Sequence, residues 1–279
     1  MREFDRLADR VRLHRQVDDR QVAIVEGASD ERILARAFGK REIVYFQAGT
    51  RSLALDAATQ LNSWGQNYFV CVVDRDFDDE VDGVGEVNPH LHPYENADLE
   101  AMLAVSRAGT DLIAELGSEA KIAARGGISE IVVKLYDMVQ PIAALRRANV
   151  ENSWGLAFDK VDLVSKIDKK NMILKVQPYC AALSGTSDGS PGQAVLIEYA
   201  NGRRSVRTPP SCPRGSTPFF RGRDFLAILC AALCGYCGSR RPQAVDPESL
   251  AESLRLAGAD HLRSSGWGKD LLSIVGLSE

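Results

Sequence analysis

Two stretches decide the fold: QVAIVEGASD (Gln21–Asp30) and YFVCVVDRDFD (Tyr68–Asp78). Each begins with a short apolar run rich in β-branched and aromatic residues, and each run ends at an acidic residue. The first run is followed by SDERILARAFG (Ser29–Gly39), which has acidic residues in its first turn and ends at a glycine, so it predicts a helix. These patterns predict a strand, a helix and a later strand. Each of the two strands is expected to lead into an acidic loop.

The residues between these stretches continue the alternation. EIVYFQ (Glu42–Gln47) predicts a second strand, and SLALDAATQLNSW (Ser52–Trp64) predicts a second helix. A short edge strand near His92–Tyr94 and a helix over about residues 97–106 are expected to follow. Continuous apolar strands separated by helices are typical of a buried parallel sheet. The sequence therefore predicts an α/β fold with a parallel sheet flanked by helices.

Ligands of open parallel sheets bind beyond the carboxyl ends of the strands. Glu26 follows the first predicted strand, and Asp74 and Asp76 follow the third. If these strands are neighbours, the three carboxylates converge, and a divalent cation would relieve their mutual repulsion. Oxygen ligands favour Mg²⁺ or Mn²⁺ over zinc. Gly27 is expected to let the chain turn sharply beneath Glu26.

The amino-acid composition limits the classes to which this protein can belong. The chain has 279 residues, of which 45% are hydrophobic and 26% charged, as in globular proteins. The sequence has no apolar run of membrane-spanning length and no visible secretory signal, so we expect a cytoplasmic protein. It also has no G-x-x-x-x-G-K-[ST] motif, so we do not expect ATP hydrolysis by this chain alone.

Charge is unevenly distributed despite a net charge of only −4. Residues 74–100 hold ten acidic residues and one arginine, whereas residues 201–245 hold eight arginines and one aspartate. The acidic segment suits a cation site or solvated surface, and the arginine-rich segment, which includes Arg203 and Arg204, suits a polyanion such as nucleic acid. Thr50, Arg51 and Ser52 open the second predicted helix, a position suited to a phosphate, although Ser52 is also suited to be an N-cap.

The rest of the chain is predicted to be mainly helical. We expect an N-terminal helical segment over residues 1–19, a metal-binding domain over 20–108 and a mainly helical region over 109–279. Within that region the patterns predict four helices, of which the first should be kinked or divided by Pro141. Their expected ranges are Ile128–Asn149, Leu156–Lys175, Asp224–Tyr236 and Pro247–Leu256, with loops at Ser184–Gly192 and Pro209–Pro218.

Several motifs have a structural interpretation that we favour. Cys230, Cys234 and Cys237 have spacing close to that of a zinc site, but they also share one helical face, which indicates a core stripe. The H-x-H pair His90 and His92 is expected to lie in a loop without binding a metal. A series of lysines is expected to form a solvated face rather than a contact with a nucleic-acid backbone. They are Lys160, Lys166, Lys169, Lys170 and Lys175.

The motifs VAIVEGASD (Val22–Asp30), VCVVDRDFD (Val70–Asp78) and YENADLEAML (Tyr94–Leu103) together resemble the TOPRIM domain of topoisomerases, primases and OLD-family nucleases. With FRGRDFLAIL (Phe220–Leu229), the chain is most similar to the small TOPRIM nuclease subunit of the PARIS antiphage defence system. The motif match covers about residues 20–106.

This resemblance implies roles for individual residues. Glu26 would be a general acid/base or a ligand, and Asp74 and Asp76 the principal ligands, of one or two Mg²⁺ (or Mn²⁺) ions. Asp30, Asp78 and Glu100 would be outer or second-metal ligands. In OLD-type relatives a lysine stands in a Gly-Lys-Asp context; here Arg223 follows Gly222, and Gly268-Lys269-Asp270 lies further along. Arg221 and Arg223 would offset phosphate charge, or would pair with an acid such as Asp224.

The resemblance implies a nuclease that acts as the toxic effector of an antiphage system and is restrained by an ATPase subunit until infection. The substrate would be RNA, including tRNA, or DNA, and a homodimer is expected after release. Two alternatives remain open: a non-catalytic TOPRIM scaffold or regulatory subunit, and a metal-dependent phosphatase that uses D-x-D. Three retained carboxylates disfavour the scaffold, and Asp78 at the fifth position of the motif disfavours the phosphatase.

Overall fold

A computed structural model describes residues 6–207 and 217–277. Contacts between Cα atoms divide these residues into two compact units. The first unit consists of residues 6–75, 79–99 and 258–277, and the second of residues 76–78, 100–207 and 217–257. The predicted segment boundaries at residues 19 and 108 stay a prediction.

Thirteen α-helices and five strands occur in the described residues. The helices are α1 Leu7–His14, α2 Ala28–Phe38, α3 Arg51–Ser63, α4 Glu80–Gly85, α5 Leu99–Ala104, α6 Arg107–Leu116, α7 Glu119–Ala124, α8 Ile128–Asn152, α9 Val176–Ser184, α10 Gln193–Ala200, α11 Gly222–Gly235, α12 Pro247–Ser264 and α13 Gly266–Ile274. The strands are β1 Gln21–Val25, β2 Ile43–Gln47, β3 Phe69–Val72, β4 Ile167–Asp168 and β5 Ile173–Leu174.

The first unit is built on a three-stranded parallel sheet with the order β2-β1-β3. The central strand β1 places Ile24 opposite Phe46 of β2 and Cys71 of β3. Every residue of β3 is buried, as its uninterrupted apolar sequence predicts. The predicted α/β fold with a parallel sheet flanked by helices is therefore confirmed.

Helices α2 and α3 connect the strands of this sheet and pack against β2 and β3, respectively. Helix α13, from the end of the chain, packs against β3 as well. Thr50 caps the N-terminus of α3 by accepting a hydrogen bond from the amide of Leu53, so the expected cap at Ser52 is wrong by two residues.

An extended segment runs beside β3 after the acidic loop. Cys71 and Leu91 form an isolated parallel bridge, and the amide of Tyr94 donates to the carbonyl of Val73. This segment corresponds to the edge strand predicted near His92–Tyr94. It brings Tyr94 to the same edge of the sheet as the end of β3.

The second unit is mainly helical, as predicted. Its longest helix, α8, packs against α6, α10 and α11. Pro141 lies inside α8 without dividing it, so the expected division is wrong. Residues on both sides of Pro141, including Met138 and Ile142, are buried, and this packing stabilises a helix that one proline weakens locally. Helix α12 extends to Ser264, eight residues beyond the predicted end.

The helix predicted over Leu156–Lys175 is wrong. The segment forms two 3₁₀ turns, Phe158–Lys160 and Val164–Lys166, and then the antiparallel pair β4 and β5. The Asp168 carboxylate accepts hydrogen bonds from the amides of Lys170 and Asn171. Such local side-chain bonds stabilise a turn at the expense of a helix.

Among the helices described, none has the length and apolar character needed to cross a membrane. The predicted loop at Ser184–Gly192 is observed between α9 and α10. Most of the predicted irregular stretch Pro209–Pro218, with Cys212 and Arg214, lies outside the described residues.

Candidate active site

Glu26 and Asp74 lie side by side at the carboxyl end of the sheet. Glu26 directly follows β1, and Asp74 comes two residues after the neighbouring strand β3. An Oε1 atom of Glu26 accepts a hydrogen bond of 2.7 Å from the backbone amide of Asp74. Both residues are half-buried. The strand order β2-β1-β3 therefore places the first two acidic residues of the motifs next to each other.

Asp30 is fixed in the first turn of α2 by two donors. Its Oδ2 atom accepts from the backbone amide of Gly27 at 3.0 Å, and its Oδ1 atom accepts from the Tyr94 hydroxyl at 2.9 Å. Tyr94 is fully buried, and its ring stacks on that of Trp267 with centroids 5.3 Å apart. The Asp30 carboxylate, at the end of the first motif, thus contacts both the turn after Glu26 and the edge segment beside β3.

The hydrogen bond between Tyr94 and Asp30 can be tested by Tyr94→Phe. We expect a loss of about 1 kcal/mol in the free energy of unfolding, because the half-buried Asp30 carboxylate loses a donor while the ring keeps its packing. Tyr68→Phe is a matched control, since the buried Tyr68 hydroxyl has no hydrogen-bond partner in the part of the chain that the structure describes. Urea denaturation measures both; equal stability of the two variants would show that the bond contributes nothing.

Gly27 does not make the expected sharp turn. Its φ of −147° and ψ of −176° are extended values open to any residue. A Cβ atom added there would lie 3.8 Å from the Asp30 carboxylate, an ordinary van der Waals distance. The glycine is therefore not required by the backbone of this turn.

Asp76 and Asp78, the later acids of the second motif, belong to the second unit. Asp76 has a φ of +52°, a left-handed conformation that aspartate adopts more readily than most residues. Phe77 between them is buried, and its carbonyl accepts a 2.7 Å hydrogen bond from the guanidinium of Arg147. Arg147 is only 3% exposed, so the backbone between Asp76 and Asp78 is held by a buried cation that the sequence did not indicate.

Glu100, a predicted outer ligand, forms an ion pair with Arg255. The two side chains are each about one-fifth exposed, and both residues belong to the second unit. The Glu100 carboxylate is therefore neutralised by an arginine that lies 155 residues later in the sequence.

The ligand atoms that these residues offer can be compared with those that the predicted cation prefers. Glu26 and Asp74 offer carboxylate oxygens, the ligands that Mg²⁺ prefers. Within residues 6–207 and 217–277, no set of three or more His, Cys, Asp and Glu side chains is grouped for metal binding. The chemistry of the Glu26 and Asp74 pair fits Mg²⁺, and the predicted Mg²⁺ or Mn²⁺ site stays a prediction.

Arg221 and Arg223 both pair with Asp159. An Nη1 atom of Arg221 lies 3.7 Å from one Asp159 oxygen, and an Nη1 atom of Arg223 lies 3.5 Å from the other. The expected partner Asp224 is wrong, because it forms a two-bond pair with Arg146, with N–O distances of 2.5 and 2.8 Å. Burial alone would lower the pKa of Arg146, but the Asp224 carboxylate outweighs it and the pKa is raised.

The remaining predicted nucleic-acid contacts are spread over both units. Arg51, in the first unit, forms a 3.0 Å ion pair with Glu80 and donates to the carbonyl of Arg75. Arg203 and Arg204 are exposed just after α10, where Arg204 lies 3.5 Å from Glu198. Their contacts with nucleic acid stay predictions.

An open cleft of about 400 Å³ lies in the second unit. Its lining includes three acidic and three cationic residues. The charged residues that line it are Asp76, Asp78, Arg146, Asp159, Lys160 and Arg221. Residues from the end of the second acidic motif and from the beginning of the FRGRDFLAIL segment thus line one cleft.

The two histidines pack on aromatic rings, and two of the three cysteines are buried. The ring of His90 packs at 4.7 Å from that of Phe69, and burial lowers the pKa of His90. His92 stacks on Trp267. Cys230 and Cys237 are buried, and burial raises the pKa of each thiol to about 11. Cys237 lies beyond the end of α11 at Gly235, so the expectation that all three cysteines share one helical face is wrong, although the burial of Cys230 and Cys237 agrees with a position in the core.

The Gly268-Lys269-Asp270 sequence lies in α13 of the first unit, beside the buried Trp267. Its helix packs against β3, the strand that precedes Asp74. No family model and no curated protein sequence matches the chain.

Proposed function

We propose that the chain is a Mg²⁺-dependent TOPRIM-type nuclease that cleaves phosphodiesters of RNA, including tRNA, or of DNA. The observation that supports this proposal best is the contact of Glu26 with Asp74 at the carboxyl ends of two adjacent parallel strands. Ligand sites of open parallel sheets lie at such ends. A contact between two acidic residues at this edge is the arrangement that the two motifs predict.

In this proposal, Asp74 holds the cation, Glu26 beside it acts as the general base, and Asp30 is an outer ligand. Asp76, Asp78 and Glu100 remain proposed ligands on the strength of the motifs alone. A bound Mg²⁺ ion would supply positive charge for the reacting phosphate and its leaving oxygen.

The side chains have separate tasks in the hydrolysis. Glu26 keeps the Asp74 backbone in place through one carboxylate oxygen and accepts the proton of the attacking water through its carboxylate. Arg221 and Arg223 match the phosphate oxygens with guanidinium groups. Water adds to phosphorus, the bond to the leaving oxygen breaks, and that oxygen takes up a proton.

We further propose that the nuclease is the toxic effector of an antiphage system, held inactive by an ATPase subunit and able to form a homodimer after release. The resemblance to small TOPRIM subunits supports this part of the proposal. It implies that the purified chain, free of its partner, is active.

The test is cleavage by the purified full chain of single- and double-stranded RNA and DNA. We expect cleavage of one of these substrates with Mg²⁺ or Mn²⁺ and none with excess EDTA, and restored cleavage when the metal is added back. Cleavage that is equal with and without EDTA would contradict a metal-dependent reaction, and no cleavage of any substrate would contradict an active free subunit.

A further inference from the structure

The Asp159 carboxylate lies between two arginines of the second unit. Each of its oxygens faces a different guanidinium, at 3.7 Å for Arg221 and 3.5 Å for Arg223. The nearby acid on α11, Asp224, is committed to the buried pair with Arg146. Asp159 is thus the carboxylate that both arginines share.

The packing of its neighbour Phe158 holds Asp159 in position. It belongs to the 3₁₀ turn Phe158–Lys160, whose first residue is buried. The guanidinium of Arg146 lies over the Phe158 ring at 4.3 Å, and Asp224 holds that guanidinium in place. The Asp159 side chain, in contrast, is 49% exposed and reaches the cleft.

These ion pairs are loose. The arginine side chains are 33% and 63% exposed, and the N–O distances exceed the 2.7–2.9 Å expected of a strong charge-assisted hydrogen bond. Exposed pairs of this kind contribute little to stability and are screened by salt. A phosphate group, whose oxygens match guanidinium forks well, can therefore replace the carboxylate.

The cleft has room for such a group. Its volume of about 400 Å³ is within the range of small-molecule sites, and Lys160 and Arg221 line it together with Asp76 and Asp78. A phosphate on Arg221 would lie in the cleft that Asp76 and Asp78 also line.

We propose that Asp159 competes with a phosphate of the nucleic-acid substrate for Arg221, which lines the cleft, and for Arg223, which is not among the residues that line it, so that these two arginines form a phosphate-binding subsite restrained by the chain's own carboxylate. The identity of the phosphate as part of a nucleic acid rests on the proposed function. Removing the Asp159 charge should then strengthen nucleic-acid binding, and the gain should require the two arginines.

The experiment measures binding without cleavage. Full chains with Glu26→Gln, to slow hydrolysis, are titrated into a fluorescently labelled single-stranded RNA and into DNA of the same sequence, at low and high salt, and anisotropy gives Kd. We expect Asp159→Asn to lower the Kd for the RNA, for the DNA or for both about 3- to 10-fold at low salt. At high salt the decrease in Kd should be smaller. With Arg221→Ala and Arg223→Ala also present, Asp159→Asn should leave Kd unchanged.

Asp162→Asn is the matched control, because it makes the same change of charge three residues away. Asp162 is exposed and accepts a hydrogen bond from the amide of Ser165. An equal gain from Asp162→Asn, a gain that persists without the two arginines, or no gain from Asp159→Asn would each overturn the proposal. The nuclease proposal is tested separately, by cleavage assays. Lack of metal-dependent cleavage would overturn that proposal, and the comparison of Kd values would still decide the role of Asp159.

Discussion

Glu26→Gln is expected to lower the rate of metal-dependent cleavage by about 10²- to 10⁴-fold, the range associated with loss of a general acid or base. Glutamine has the same shape as glutamate, and its amide oxygen can still accept the 2.7 Å hydrogen bond from the Asp74 amide. The substitution therefore removes the negative charge and the basic oxygen while preserving the contact between the two strand ends. Initial rates at saturating Mg²⁺ measure the effect.

Glu31→Gln is the matched control for this prediction. Glu31 lies on the same helix as Asp30, but its carboxylate pairs with Lys40 at 2.8 Å and accepts from Gln47. These two partners lower its pKa. We expect the Glu31 variant to cleave at the wild-type rate. A folded Glu26→Gln protein that also cleaves at that rate would remove Glu26 from the active site.

Asp224→Ala is expected to lower the free energy of unfolding by about 3–5 kcal/mol, the cost of leaving one member of a buried ion pair without its partner. Arg146 and Asp224 are each 9% exposed and joined by two hydrogen bonds. Without Asp224, the guanidinium keeps its place over Phe158 but loses its carboxylate in a site that water scarcely reaches. Chemical denaturation followed by circular dichroism measures the loss.

Two further variants separate this effect from ordinary loss of contacts. Replacing both partners, as Arg146→Met with Asp224→Leu, should cost much less than the single substitution, because no buried charge remains. Glu198→Ala removes a partner of Arg204 from a pair whose side chains are about half exposed, and we expect a change of about 0–1 kcal/mol. A single Asp224 substitution as mild as Glu198→Ala would show that the buried pair is not a stabilising element.

Local patterns were sufficient to predict the sheet. The apolar runs of β1, β2 and β3 are short, are separated by amphipathic helices and end at acidic or polar residues, so their type and order could be predicted. The same reasoning was wrong for Leu156–Lys175, where apolar residues recur at helical spacing. There the Asp168 side chain binds the backbone of the next residues and Met172 adopts a φ of +49°, neither of which a periodicity reveals.

The candidate site was predictable only in part, for a physical reason. Glu26 directly follows β1 and Asp74 comes two residues after the neighbouring strand β3, so their proximity follows from the strand order. The partner of Arg146 is 78 residues away and that of Glu100 is 155 residues away, and no local pattern specifies such pairs. Tyr94 donates to Asp30, and the sequence signal for this role is a tyrosine beside acidic residues in an edge segment.

The most direct test of the nuclease proposal is to sequence the ends of RNA and DNA fragments from cells that produce either the wild type or Glu26→Gln at equal levels. The account predicts new ends at reproducible positions in one class of nucleic acid, in the wild-type culture alone. The same ends in both cultures would show that cleavage, if present, does not depend on Glu26, and would contradict the assignment of the active site to the ends of β1 and β3.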